Sequence, residues 1–279
     1  MNKSSKSLKI NTILIAIGLV IAICFAANQA SDSTFSNIYN LENSSIDKVE
    51  IPAKIAGRQE QIITHIGYTV SYNSDWKIPN WVAYELTKTE VEGIEPRSDN
   101  FMPDPNVAYN ETATTNDYRN SGWDRGHMAP AGDMKWSEQA MKESFYLSNI
   151  CPQNKNLNSG IWKSLEEQVR GLAVQKGSLY VVCGPVVSEQ PETIGDNKVA
   201  IPDAFFKALL QNDSGNWFAI AFLFVNESGR KPLSTYAMSV AELQMITAID
   251  FFPALPDSIE QVIENEVDFT KWTLKNFKF

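Results

Sequence analysis

Histidine, cysteine and positive charge are all scarce in this chain of 279 residues. Only two histidines occur, His65 and His127, so chemistry that needs an imidazole has two candidates. Cysteine is limited to Cys24, Cys151 and Cys183, and no CxxC pair exists, which sets structural zinc aside. Lys and Arg number 24 against 33 Asp and Glu, for a net charge of −9. Binding to nucleic acid usually rests on Lys and Arg contacts with phosphates, so composition alone does not suggest that partner. The apolar run Ile13–Ala27 spans 15 residues, short of the roughly 17–25 that a membrane-spanning helix needs. Nor is there an internal repeat. Disorder is excluded as well, because 43% of residues are hydrophobic and 20% charged, an ordinary globular balance.

The N-terminus has its own pattern. Lys3, Lys6 and Lys9 precede the apolar run, and Asn28-Gln29-Ala30 follows it. This order reads as a secretory signal over residues 1–30, predicting a periplasmic or extracellular protein. The alternative is an uncleaved segment that tethers the chain to a membrane through residues 10–27. Cys24 follows Ile23 rather than a small residue, which argues against lipid attachment there. Residues 1–30 hold three lysines and no acidic residue, so without them the net charge becomes −12. Such a surface suits the solubility of an exported protein. Export would permit a disulfide between Cys151 and Cys183, and two separate buried thiols fit the sequence equally well.

Residues 31–60 are polar and weakly periodic, which predicts a linker or a loosely docked arm. Residues 61–279 read as a single domain. Alternation predicts strands at Tyr68–Asn73 and Trp81–Leu86, and Ser178–Pro185 reads as a buried strand. Ala204–Leu210 and Trp217–Val225, separated by Asn212-Asp213-Ser214-Gly215, predict a hairpin. Helical spacing of Ile161, Leu165, Val169 and Leu172 predicts a long helix from about Ser159 to Lys176, stopped by Gly177. Shorter helices are expected over Trp136–Glu143, Ser239–Ile246 and Ile259–Glu264. The sum is an α+β fold with a central, mainly antiparallel sheet flanked by helices.

Two segments carry the chemistry. The first is Trp123-Asp124-Arg125-Gly126-His127-Met128-Ala129-Pro130; the second runs from Asn158 to Arg170. Phosphodiester hydrolysis needs a base for water, positive charge at phosphorus and stabilisation of the leaving oxygen. His127 suits the first task because imidazole titrates near neutrality; a lone histidine is otherwise usually a core or surface residue. Asn158 has two readings, a helix N-cap or an oxygen ligand for Mg²⁺, which takes few protein ligands and keeps waters. Taken alone, it favours the cap. Glu166 and Arg170 share a helix face at i, i+4, as a surface ion pair or as water-holding and phosphate-binding groups.

Taken in order, these motifs resemble the DNA/RNA non-specific endonucleases of the ββα-metal fold, the group that includes endonuclease G. The matching residues are Asp124–Pro130, Asn149-Ile150-Cys151-Pro152-Gln153, and Leu157-Asn158 through Arg170, supported by Trp81–Leu86 and Thr247–Pro253. The similarity covers roughly residues 60–255. It implies a ββα-metal active-site motif, DNA and RNA as substrates, and Mg²⁺ as cofactor with Mn²⁺ able to substitute. It further implies His127 as general base, Asn158 as the protein ligand of the metal, and Glu166 holding its water. Arg170 would contact phosphate and Arg125 would stabilise charge. Asn149 and Arg97 are the candidate substrate-binding residues, with Arg97 in a loosely matching region. Ser159-Gly160 stands where many relatives carry Gln-Gly. Products would bear 5′-phosphates. The alternatives are a catalytically inactive nuclease-fold binding protein and a phosphodiesterase for a smaller substrate.

Overall fold

Seven antiparallel strands form the scaffold in the computed structural model, which describes residues 47–229, 231–266 and 269–272. All of these lie in the unit Ser45–Phe279. In chain order the sheet strands are β1 (Gln61–Thr64), β2 (Thr69–Asn73) and β3 (Ile78–Thr87). Two further strands, β4 (Asp124–His127) and β5 (Ile150–Gln153), stand apart as an antiparallel pair. Then come β6 (Ser178–Val186), the small pair β7 (Thr193–Ile194) and β8 (Val199–Ala200), β9 (Ala204–Asp213), β10 (Asn216–Val225) and β11 (Ala237–Met238). The large sheet runs β1-β2-β3-β6-β9-β10-β11.

The central strands read as apolar runs because both faces of the sheet are covered. In β9 every residue from Ala204 to Gln211 is buried, with no alternation of exposed positions. Among the described residues, four helices of seven residues or more accompany the sheet: α1 (Glu138–Ser144), α2 (Lys163–Lys176), α3 (Val240–Thr247) and α4 (Asp257–Asn265). Helix α2 packs on β3 and β6, while α3 and α4 pack on β10. Its core stripe is Leu165, Val169, Leu172 and Ala173. The β9–β10 hairpin closes through Ser214 (φ 56°) and Gly215 (φ 91°), the two positive-φ positions that a tight primed turn demands.

The expected strands, the hairpin and the short helices are present within a few residues of their expected bounds. Two other expectations are corrected. Residues 47–60 are not a loose arm: Val49 and Ile55 are buried, Ala53 N donates to Asp250 O at 3.0 Å, and Arg58 Nη2 donates to Thr247 O at 3.0 Å. Their apolar side chains are few, but each finds the core. The long helix also does not begin at Ser159. A turn over Lys155–Leu157 leads into a π-turn over Asn158–Trp162, where Gly160 sits at φ −107° and ψ −114°, and regular α-helix starts at Lys163. The residues predicted as a signal segment or tether lie outside the described residues. Among those described, no helix is long and apolar enough to cross a membrane.

Candidate active site

The β4–β5 pair places Arg125 opposite Pro152, Gly126 opposite Cys151 and His127 opposite Ile150. Arg125 and His127 share one face of β4; Arg125 is exposed, whereas His127 is buried at 8% exposure. A side chain at Gly126 would run into Gln153, so the motif's glycine lets the two strands meet closely. Beyond His127 the chain is held by Asn149, which is fully buried. Its Oδ1 accepts from Ala129 N at 2.8 Å, and its Nδ2 donates to Ala129 O and Ser144 O, both at 2.8 Å. Every polar atom of that amide is engaged with backbone. Asn149 is therefore corrected from a substrate-binding residue to a strut that fixes the segment after His127.

The His127 ring lies between two aromatics, with centroids 5.4 Å from Phe101 and 4.8 Å from Phe145. Its Nε2 is shielded from solvent and has no hydrogen-bond partner. Burial pushes the imidazole down to about 3; Arg97 and Arg125 push the same way, and Asp99 opposes them. The ring is neutral at pH 7, with a lone pair free to take a proton. Arg125 stacks over Phe101 at 4.1 Å and Arg97 over Phe145 at 5.0 Å, so the same two rings that clamp the imidazole carry the two guanidinium groups. Arg97 also donates from Nε to exposed Asp99 at 2.6 Å.

Next to this group opens a polar cleft of about 610 Å³ whose walls include Phe101, Arg119, Asp124, Arg125 and Asn158. Asn158 Nδ2 donates to Asp124 Oδ2 at 3.1 Å, and no hydrogen bond from the described residues reaches the Asn158 amide oxygen. Asn158 is not the N-cap. That position belongs to Asn154, whose side chain accepts from Asn156 N and Leu157 N. With the capping role taken, a hard amide oxygen beside a carboxylate in an open polar cleft fits a Mg²⁺-type ion. His127 and Asn158, 31 residues apart in sequence, share one neighbourhood through Asp124 and Phe101.

Glu166 and Arg170 are placed differently from the expectation. Arg170 donates from Nη1 to Asp133 Oδ1 at 2.7 Å, and Asp133, only 1% exposed, also accepts from Tyr84 Oη at 2.8 Å. Burial would pull the Arg170 guanidinium down, but Asp133 outweighs it and holds Arg170 above its ordinary value. A buried carboxylate requires such a partner, and Arg170 is the counter-ion of Asp133. It borders a separate groove with Gly132 and Lys135. Burial pushes Glu166 up to about 7, against the pull of Lys207 and Arg170. Glu166 thus faces a polar cluster, and the π-turn at Asn158–Trp162 breaks the helical alignment assumed between it and Asn158.

Sequence reasoning missed the members of that cluster. Lys207 has no exposed surface, and its ammonium sits 4.8 Å from the Trp162 ring centroid. A lone lysine inside the apolar run Ala204–Leu210 was a readable signal. Asp133 and Tyr84 gave none, because their partners come from distant segments. Cys151 and Cys183 are both free and buried, and Cys183 Sγ donates to Met128 O at 3.2 Å.

Similarity to known proteins points the same way as the geometry. Residues 47–258 match the model of the family described as DNA/RNA non-specific endonuclease. "Nuclease EXOG, mitochondrial" of Danio rerio is 38% identical over 216 residues, covering 72% of this chain and 62% of that protein. "Endonuclease G, mitochondrial" of Homo sapiens is 32% identical over 212 residues, covering 72% and 67%. The chain thus spans less than two thirds of the EXOG relative's length. A crystal structure of an EndoG/EndoGI complex superposes with a TM-score of 0.70 at 27% identity, covering 77% of this chain and 92% of that one. These names overturn the export predicted from the N-terminus, because the relatives are mitochondrial proteins. With a large antiparallel sheet, His127 on the β4–β5 pair and a family match over most of its length, this chain belongs to the DNA/RNA non-specific endonuclease family.

Proposed function

We propose that this chain is a divalent-metal-dependent endonuclease that hydrolyses phosphodiester bonds of DNA and RNA with little sequence preference. One observation carries the reading: a neutral imidazole with an unpartnered Nε2, held between aromatic rings that also bear two outward arginines. The His127 imidazole takes a proton from water as that water attacks phosphorus in line. Arg125 and Arg97 offset the charge that grows on the phosphate oxygens. The P–O3′ bond breaks, leaving a 5′-phosphate, and the departing 3′ oxygen is protonated from solvent. Asn158 Oδ1, with Asp124 beside it, would hold the metal. When bound, Mg²⁺ or Mn²⁺ supplies Lewis-acid stabilisation of the phosphate and the leaving oxygen. Glu166, beyond the π-turn on α2, stays in this reading as the group that would hold metal-bound water, with the charge of Lys207 opposing the effect of its burial. Contacts made mainly to phosphate give positioning without base readout.

Supercoiled plasmid and single-stranded RNA should both be cut in Mg²⁺, and EDTA should stop the reaction. His127→Ala should lower the rate by about 10²–10⁴-fold while the melting temperature holds. Undiminished cutting by that variant, or in EDTA, would end the proposal. Cleavage of small model diesters with plasmid spared would replace it with the smaller-substrate reading.

A further inference from the structure

We propose a second cation site, independent of the nuclease reading, in which Asp250, Glu260 and Glu264 hold a hard divalent ion of the calcium class. The three side chains each offer a carboxylate oxygen, and these oxygens all lie within 4.8 Å of one another. Glu260 and Glu264 stand one turn apart on α4, and Asp250 follows the end of α3. Neither helix lines the cleft at Asn158; both cover β10. Proximity of acids alone would mean little on a protein of net charge −9.

Glu264 supplies the independent observation. It is only 7% exposed, and its Oε1 is shielded from solvent with no hydrogen-bond partner. Its Oε2 accepts from Gln244 Nε2 at 2.7 Å, and Gln244 Oε1 accepts in turn from Phe251 N at 3.0 Å. The amide is therefore locked, and it fixes the Glu264 carboxylate through Oε2 while leaving Oε1 buried without a partner. An unpaired buried carboxylate oxygen is costly unless a cation meets it. No lysine or arginine forms an ion pair with the trio among the described residues. Burial, then the neighbouring Asp250 and Asp257, pushes Glu260 up to about 7; burial, then Glu260, does the same to Glu264. The trio strains against its own like charge. Oxygens this far apart fit the shell of Ca²⁺, with ligand distances of about 2.3–2.6 Å and tolerance for irregular geometry. Mg²⁺ demands a tighter octahedron.

The test is thermal unfolding of the metal-stripped full chain, titrated with CaCl₂ at pH 7.5. Ca²⁺ at a hundredfold excess over its Kd should raise Tm by roughly 5 °C. Glu260→Gln and Asp250→Asn should abolish that shift, whereas Asn158→Ala should retain it. In chelator, Glu260→Gln should raise Tm, because it removes one of the crowded charges. No shift with Ca²⁺, or a shift surviving both carboxamide variants, would overturn the site. A fall in Tm for Glu260→Gln in chelator would also count against it, since the trio would then be stabilised by a shared proton.

Discussion

The cleft beside β4 and the polar cluster against α2 use the same residue types in opposite ways. In the cluster, Arg170 is consumed by Asp133, Asp133 is saturated by Arg170 and Tyr84, and Lys207 rests on Trp162. In the cleft, Arg125 forms no ion pair among the described residues and Arg97 has only exposed Asp99. His127 keeps an unpartnered nitrogen. Arg170 of the cluster is committed to an internal carboxylate, whereas the arginines of the cleft remain available to a ligand. Availability rather than count is what reconciles a net charge of −9 with a phosphate substrate.

The comparison breaks if the cluster proves dispensable to stability. Asp133→Ala would leave the partly buried Arg170 unpaired, so it should cost about 3 kcal/mol and lower Tm by roughly 10 °C, read by calorimetry. A variant that melts like the parent would mean that the pair contributes nothing. Conversely, Arg125→Ala should leave Tm in place and reduce plasmid cleavage roughly 10–100-fold, less than an enclosed donor would because Arg125 faces solvent. Loss of stability instead would move Arg125 into the structural group.

A smaller effect sharpens the contrast through pH. In the unfolded chain His127 gains a proton below about pH 6.5, but the folded protein holds it neutral down to about 3. Between those values the unfolded state binds more protons. Stability therefore falls as pH drops, by up to about 1.4 kcal/mol per unit from this group. His127→Ala should flatten that acid limb in denaturant melts between pH 6 and 4. An unchanged slope would show that the imidazole titrates freely and is not enclosed.

Much of this was legible in the chain. The Asp124–Pro130 run, the hairpin at Ser214-Gly215 and the apolar stripe of α2 rest on local chemistry that neighbouring residues alone specify. The position of Asn158 was harder. An asparagine before a helical pattern reads as a cap, and only the π-turn and the prior claim of Asn154 remove that role. Arg170 and Asn149 were assigned to substrate because the resemblance placed them near the site. Burial ties Arg170 to a carboxylate 37 residues away and Asn149 to the backbone of Ala129 and Ser144. Residues 47–60 read as a linker because two anchoring side chains, Val49 and Ile55, make too weak a pattern.

Local order along the polypeptide was enough to establish the kind of fold and the family, and to nominate the histidine and the metal-ligand candidate, since spacing and residue type survive without coordinates. Which charged groups face a ligand and which neutralise one another was decided only in three dimensions. The reason is electrostatic: a charge is available or spent according to what lies within a few ångströms of it, and those neighbours come from remote strands.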